Sequence, residues 1–356
     1  MTTAAPPTGV FHRSRTLSVM LTFACTASCT SCSTLSHPGN RSRIPVEDAL
    51  RAIEEAAELG FANVVFTGGE ATLRWDDLLT CLRRTTELGL PTRLVTNAHW
   101  AVTEPEAARV LDALLDAGLH EINFSTGDEH ARFVPLAQVA LAAATAVRRG
   151  LTAHVMVELR EGRAVTAERL MAEPAIAELP EDLRESVRPS ESPWMPIRPL
   201  QVERYRDGVA ATRRNLPDTV GCESVLQTYT VQADGRIGAC CGLAMRLVPE
   251  LNVGRLQAEA TLRAAIDEAE SDVLKVWLRT AGPERILAWA ADRDPEIAWE
   301  GMYGHRCQAC LRIYKDPRVG EAIAEGYRAE VPGIVQSAWM QERYLPQQLA
   351  SLPLSS

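Results

Sequence analysis

Residues 17–32 read LSVMLTFACTASCTSC and residues 64–70 read VVFTGGE. In both, a short run rich in Val, Leu and Phe breaks abruptly into small and polar residues. Runs this short and this apolar read as buried strands rather than helices. The first leads into Cys25, Cys29 and Cys32 at C-x3-C-x2-C spacing, the second into Gly68-Gly69-Glu70. Working outward, Arg93–Thr96 runs into Asn97, Glu121–Phe124 into Ser125, and Ala153–Val157 into Glu158. The segments between carry helix signals. Pro45 opens one, Val46, Leu50, Ile53 and Ala57 mark its apolar face, and Gly60 stops it. Thr103 and Glu106 have capping-box spacing ahead of Val110, Leu111, Leu114 and Leu115, with Gly118 as the stop. A further helix is expected from Pro135 to Arg149, ending at Gly150. Strand and helix in alternation imply an α/β fold with parallel strands and helical crossovers. In a β/α barrel the loops after the strands gather at one mouth, which brings the cysteines, glycines, Asn97, Ser125 and Glu158 together. An open dinucleotide-binding sheet fits the alternation as well. No Gly-rich fingerprint follows the first strand, which disfavours an NAD-dependent dehydrogenase.

The chain has 356 residues, 46% hydrophobic and 23% charged, with a formal net charge of −9. Such a balance suits globular folding and gives no general attraction to nucleic acid or anionic membrane. No apolar stretch is long enough to span a bilayer, and the opening MTTAAPPTGVFHRSRT lacks a signal-peptide core, so the cytoplasm is expected. The nine cysteines then fall in a reducing setting where disulfides are rare. Clustered thiols there read as metal or iron–sulfur ligands. A structural zinc site ordinarily uses four ligands. The first group offers three, enough for three irons of a cubane with the fourth iron open.

The C-x3-C-x2-C loop directly after the first strand, followed by Thr67-Gly68-Gly69-Glu70 after the second, resembles the radical S-adenosylmethionine (SAM) superfamily. The resemblance implies a partial (β/α)6 TIM-type barrel, a [4Fe–4S] cluster on Cys25, Cys29 and Cys32, and SAM on the open iron. Gly68, Gly69 and Glu70 would hold the SAM amino group, with the glycines letting the backbone come close. Ser125 would contact the ribose or methionine part, and Asn97 sits where the family's third strand ends. Ser31 stands where the family often has an aromatic residue that packs on the adenine. His130, in Ser-Thr-Gly-Asp-Glu-His, reads either as a capping residue beside Asp128 or as a substrate contact or base.

Beyond about residue 205 the rhythm changes. Pro189–Pro199, with Trp194 and Arg198, reads as a proline-rich junction. Thr228–Gln232 and Arg236–Cys240 flank the turn signal Ala233-Asp234-Gly235 and predict a hairpin. Cys222, Gly235 with Cys240, Asn252-Val253-Gly254 and the Cys307/Cys310 pair resemble the twitch form of the SPASM extension of radical SAM enzymes. That resemblance implies a small α+β extension with a second, auxiliary [4Fe–4S] cluster on Cys222, Cys240, Cys307 and Cys310. The alternative for these four is structural zinc. Cys241 is left over, either a buried small residue or a hydrogen-atom donor to a substrate radical. Cys81 shares a helix face with Leu78 and Leu82 and reads as core. The expected organisation is a lead-in over 1–14, a barrel over 15–205, a twitch/SPASM-like domain over 206–320 and a helical tail over 321–356. That tail, with Tyr327, Trp339 and Tyr344, is expected to pack on the barrel.

The family resemblance implies reductive cleavage of SAM to a 5′-deoxyadenosyl radical that takes hydrogen from an unactivated C–H bond. The outcome would be oxidation, crosslinking or epimerisation of a ribosomal peptide, or dehydrogenation or epimerisation of a sugar or aminocyclitol metabolite. The stretch ahead of Cys25 is short for a leader-binding domain, so a peptide is expected to bind directly or through a separate recognition protein. A flavodoxin or ferredoxin would supply electrons. From a different class, a non-catalytic zinc-stabilised binding protein would use the same cysteines.

Overall fold

The structure is a computed structural model and describes residues 15–30, 32–193, 195, 197–198, 200–256 and 261–344. Ser31 and Trp194 lie outside the described residues, as do the expected lead-in over 1–14 and the end of the tail.

Six parallel strands run in sequence order across a sheet: β1 (Thr16–Met20), β2 (Asn63–Thr67), β3 (Thr92–Thr96), β4 (Glu121–Thr126), β5 (Ala153–Leu159) and β6 (Val187–Pro193). The crossovers are α1 (Val46–Glu58), α2 (Trp75–Glu87), α3 (Glu104–Asp116), the short α4 (Asp128–Ala131) with α5 (Leu136–Val147), and three short helices before β6. Parallel strands need such crossovers, and the helices cover one face of the sheet. Along β2, β3 and β4 burial alternates strictly. Val64, Phe66, Leu94, Ile122 and Phe124 enter the core under the helices, while Thr67, Val95 and Ser125 occupy the other face.

The helix signals act as read. The Thr103 hydroxyl accepts from the Glu106 N–H, and the Glu106 carboxylate accepts from that hydroxyl at 2.8 Å. Gly60 and Gly118 end their helices at φ of +74° and +95°. On α1 the deepest face is Ala49, Ala52, Ile53 and Ala56, with Val46, Leu50 and Ala57 at its margin. The expected face is thus rotated about Ile53, because small alanines let the helix settle closest to the sheet. Cys81 is fully buried between Leu78 and Leu82.

Part of the stretch expected to be a junction is a strand. Val187–Pro193 forms β6 and pairs only with β5. Proline is tolerated there because an edge strand has one side free of ladder bonds.

The C-terminal part is joined to the barrel sheet. β7 (Thr228–Val231) lies parallel to β1, with Leu17 opposite Tyr229. β8 (Arg236–Gly238) returns antiparallel through a turn in which Gly235 has φ of +82°, and β9 (Asn252–Arg255) follows. The Asn-Val-Gly phrase is therefore a strand. The Asn252 amide donates to the Met245 and Val248 carbonyls and its oxygen accepts from Gln232 at 2.6 Å. With β7 on one side and β2 on the other, β1 is buried from Leu17 to Met20. Helices Leu262–Glu270, Val273–Ala281, Pro283–Arg293, Arg306–Lys315 and Pro317–Trp339 complete this part. The expected boundary between 320 and 321 falls inside the helix Pro317–Trp339, which packs on the three preceding helices. Among the described residues no helix is long and apolar enough to cross a membrane.

Candidate functional site

Beyond β1 the chain stays tied to its neighbours for three residues. Phe23 N–H donates to the Ser42 carbonyl, and Ile44 N–H to that of Leu21. The cysteine loop then opens over the strand ends. Beyond β2, Gly69 N–H donates to the Thr22 carbonyl and Glu70 N–H to that of Ala24, each at 2.8 Å. A Cβ on Gly68 would lie 2.5 Å from the Thr22 oxygen, and one on Gly69 would lie 2.0 Å from the Ala24 oxygen. The glycines are thus required by the close approach of two loops. They clamp the cysteine loop onto the second strand end.

Glu70 is almost fully buried and caps the short helix Ala71–Arg74. Its Oε1 accepts from the Thr72 and Thr96 hydroxyls at 2.7 and 2.9 Å, and its Oε2 from the Asn97 N–H at 2.9 Å. The carboxylate expected to hold an ammonium is engaged behind the cavity wall, where it ties the second strand end to the third. Asn97 in turn donates from Nδ2 to the Thr26 hydroxyl at 3.0 Å and toward Cys25 Sγ at 3.7 Å.

A cavity of about 210 Å³ opens at this mouth. Cys25, Cys29 and Cys32 line it, together with Gly68, Gly69 and Asn97 from the second and third strand ends and Ser125, His130, Met156 and Glu158 from the fourth and fifth. The Ala27 N–H donates to Cys25 Sγ and the Ser36 N–H to Cys32 Sγ, both at 3.4 Å. Thr34 bridges, with its hydroxyl 3.3 Å from Cys32 Sγ and donating to the Gly68 carbonyl at 3.2 Å. Thr126 lines the cavity with a buried hydroxyl that has no partner among the described residues.

Glu158 accepts from the Glu129 N–H and contacts His130 Nδ1, each at 3.1 Å. Such a pair leaves Nε2 as the imidazole's second polar atom on a residue lining the cavity. Glu129 takes the Thr30 N–H and hydroxyl at 3.1 and 2.6 Å, anchoring the cysteine loop between its second and third thiols. Asp128 accepts from the Ala164 and Val165 N–H groups, a loop-fixing role. Sequence reasoning missed Glu129 and Thr34, which carry no motif. Glu158 was marked only by its place at a strand end.

Burial raises the Cys25 thiol to about 11 and the Cys29 thiol to about 12, with neighbouring carboxylates and thiols adding to it. Free thiols here stay protonated, and a bound cationic cluster would reverse that. Three thiols ringing one cavity, with N–H groups directed at sulfur, fit a cubane held on three of its irons.

The second group also converges. Cys222, Cys240, Cys307 and Cys310 line one small cavity together with Gly242. Cys307 and Cys310 occupy the start of helix Arg306–Lys315, which His305 caps by accepting the Cys307 N–H at 3.1 Å. Cys222 arrives on a loop held by Arg279, which donates to its carbonyl at 3.1 Å, and by Arg306, which donates to that of Gly221 at 2.8 Å. A Cβ on Gly242 would stand 2.6 Å from Cys307 Sγ, so this glycine keeps space for the thiol. Burial pushes Cys240 and Cys310 well up, and the charges of the other thiols add to it. Four thiols converging on one cavity fit a fully protein-ligated cluster. Among the described residues no three Cys, His, Asp or Glu side chains group closely enough for a single metal ion.

Cys241, read from sequence as either a small buried residue or a hydrogen-atom donor, is exposed. Its Sγ points to the Ser224 hydroxyl at 3.6 Å, outside the set of residues lining the barrel cavity. Cys240, and not Cys241, lines the small cavity with Cys222, Cys307 and Cys310.

Known proteins bear on this arrangement. The sequence model of the radical SAM superfamily matches residues 19–156. Over 106 residues the chain is 36% identical to the PqqA peptide cyclase of Rhodopseudomonas palustris, covering 30% of this chain and 26% of that protein. Over 125 residues it is 34% identical to the PqqA peptide cyclase of Methylorubrum populi, 35% of this chain and 31% of that one. The chain thus spans about a quarter to a third of the length of these curated relatives. A solved structure described as native anSMEcpe with bound AdoMet and Cp18Cys peptide matches with a TM-score of 0.54 at 12% identity, over 91% of this chain and 98% of that one. That likeness concerns the fold. The residues matched by the radical SAM superfamily model include the cysteine loop, the paired glycines and every cavity-lining strand through Met156, so residues 19–156 are similar to a radical SAM domain.

Proposed function

We propose that the chain is a radical SAM enzyme that modifies a peptide, with Cys25, Cys29 and Cys32 holding the SAM-binding cluster and Cys222, Cys240, Cys307 and Cys310 an auxiliary one. The observation that carries this reading is the single cavity lined by the three loop cysteines, both glycines, Ser125, His130 and Glu158. When bound, the cluster and SAM supply a one-electron cleavage yielding a radical able to take hydrogen from an unactivated C–H bond. This chain's residues hold and shield that chemistry. Gly68 and Gly69 offer backbone polar groups at the cavity wall, close to the cysteine loop. Ser125 and Thr126 present hydroxyls for the polar part of SAM. His130, oriented by Glu158 through Nδ1, has Nε2 to bind substrate or accept a proton from it. Met156 and Met195 add apolar surface that keeps water from the reacting atoms.

The peptide assignment is supported by the PqqA peptide cyclases among the relatives and by the peptide in the anSMEcpe structure. The test is iron and sulfide content of anaerobically reconstituted protein, with dithionite-driven formation of deoxyadenosine from SAM. The expected result is about eight irons per chain together with deoxyadenosine. About four irons removes the auxiliary cluster. Zinc without iron and no deoxyadenosine would return the chain to the zinc-stabilised binding class. A candidate peptide that loses two hydrogens by mass spectrometry would support oxidation or crosslinking, and an unchanged mass with altered stereochemistry would support epimerisation.

A further inference from the structure

Arg246 lies on the short helix Leu243–Leu247, in the segment that leaves Cys240. Its guanidinium stacks over the Phe23 ring, 3.6 Å from the centroid, and the side chain is only 11% exposed. Nε and Nη1 are both buried without a hydrogen-bond partner among the described residues. The ion pair with Asp234 is long, at 3.9 Å. A buried cation short of acceptors is unfavourable unless negative charge lies beside it. Phe23, the ring it covers, precedes Cys25 by two positions in the loop. Burial lowers the affinity of Arg246 for its proton, whereas Asp234 and Cys32 act in the opposite sense, so Cys32 lies within electrostatic reach. The same arginine thus leaves the auxiliary cysteine group and ends beside the barrel's cysteine loop.

We propose that Arg246 is a positioning residue for the cluster on Cys25, Cys29 and Cys32, stabilising its reduced form from the side of the C-terminal hairpin. A thiolate-ligated cluster gains negative charge on reduction, and its potential responds to nearby charge and to hydrogen bonds on sulfur. A buried guanidinium stacked on Phe23 meets the first of these conditions, and its two unpartnered donors are available for the second. The C-terminal extension would then tune the redox centre of the barrel as well as carrying one of its own. The inference rests on the reading of the three cysteines as cluster ligands.

The experiment is an EPR-monitored redox titration of reconstituted full-length protein, following the signal that SAM perturbs, since only the open-iron cluster responds to SAM. Arg246→Met keeps an apolar contact with Phe23 and removes the charge. Its midpoint should fall by about 59 mV, a tenfold loss in the reduced-to-oxidised ratio for one electron. Arg246→Lys should restore much of it. Asp234→Asn, which suits the turn before Gly235 and leaves Arg246 less neutralised, should move the midpoint the other way. Opposite shifts at unchanged iron content are not what a merely structural perturbation gives. Equal midpoints in wild type, Arg246→Met and Asp234→Asn would overturn the proposal. If Arg246→Met loses iron, the sign of the Asp234→Asn shift decides. Wild-type protein without iron would instead sink the cluster reading, and this inference with it.

Discussion

At Glu70 the difference between a ligand and a brace comes down to which donors reach the carboxylate. Two hydroxyls and the Asn97 N–H occupy it, and it is buried. Glu70→Gln would turn an amide N–H toward one of those donors. Its expected cost is about 1–3 kcal/mol of unfolding free energy, measured in urea. A carboxylate that held SAM directly would behave differently, with SAM affinity falling and stability unchanged. Gly69 follows the same logic. Sequence marks it as a position for close backbone approach, and the structure identifies the approaching group as the Ala24 carbonyl.

At the scale of elements, the short loop carrying Gly242 and the helix Arg306–Lys315 must meet across Cys307. Gly242→Ala places a methyl 2.6 Å from Sγ. The expected outcome is loss of the auxiliary cluster alone, with iron falling from about eight to about four per chain while deoxyadenosine formation persists. Equal iron loss from both groups would show that the two sites do not assemble separately. The β7–β8 turn gives a pH prediction. Burial pushes the Asp234 carboxyl up, but hydrogen bonds and charge from Arg236 outweigh this and hold it below the ordinary range. A depressed acid contributes its full stabilisation above the unfolded value, about 3.9, and loses it as pH falls through the folded value. The stability-versus-pH curve of Asp234→Asn should therefore lie below wild type at neutral pH and converge with it in acid, as read by denaturant midpoints.

Across the whole molecule, the C-terminal part is fastened to the barrel by more than the β1–β7 pairing. Arg15, at the start of β1, forms a buried ion pair with Glu270 at the end of helix Leu262–Glu270. Removing one partner strands the other charge, so Arg15→Met should cost about 3–5 kcal/mol. Replacing both by Met should recover most of that loss in urea unfolding. If the double variant is no better than the single one, the pair's role is geometric and not electrostatic. The Glu55 carboxylate adds a second tie, accepting the Leu262 and Arg263 N–H groups at 2.7 and 3.0 Å.

The alternation of apolar runs with capped helices is local information, so the parallel strands, the Thr103 cap and the Gly60 and Gly118 stops were legible in the sequence. So were the Cys25/Cys29/Cys32 triplet and the Cys307/Cys310 pair, because their spacing is written along the chain, whereas the addition of Cys222 and Cys240 to that pair was implied by resemblance alone. The proline-bearing β6 was not legible, since proline reads as a breaker and only edge position makes it tolerable. Nor was Glu70's engagement by the Thr96 hydroxyl and the Asn97 N–H at the end of the third strand. Glu129 over Thr30 and Arg246 over Phe23 join residues far apart in the chain, and no local pattern encodes such pairs. The sequence by itself determined which chemistry the chain can support, through residue type and spacing. Tertiary structure alone decided which side chains reach the cavity and which brace it, because that depends on long-range packing of strand ends against one another.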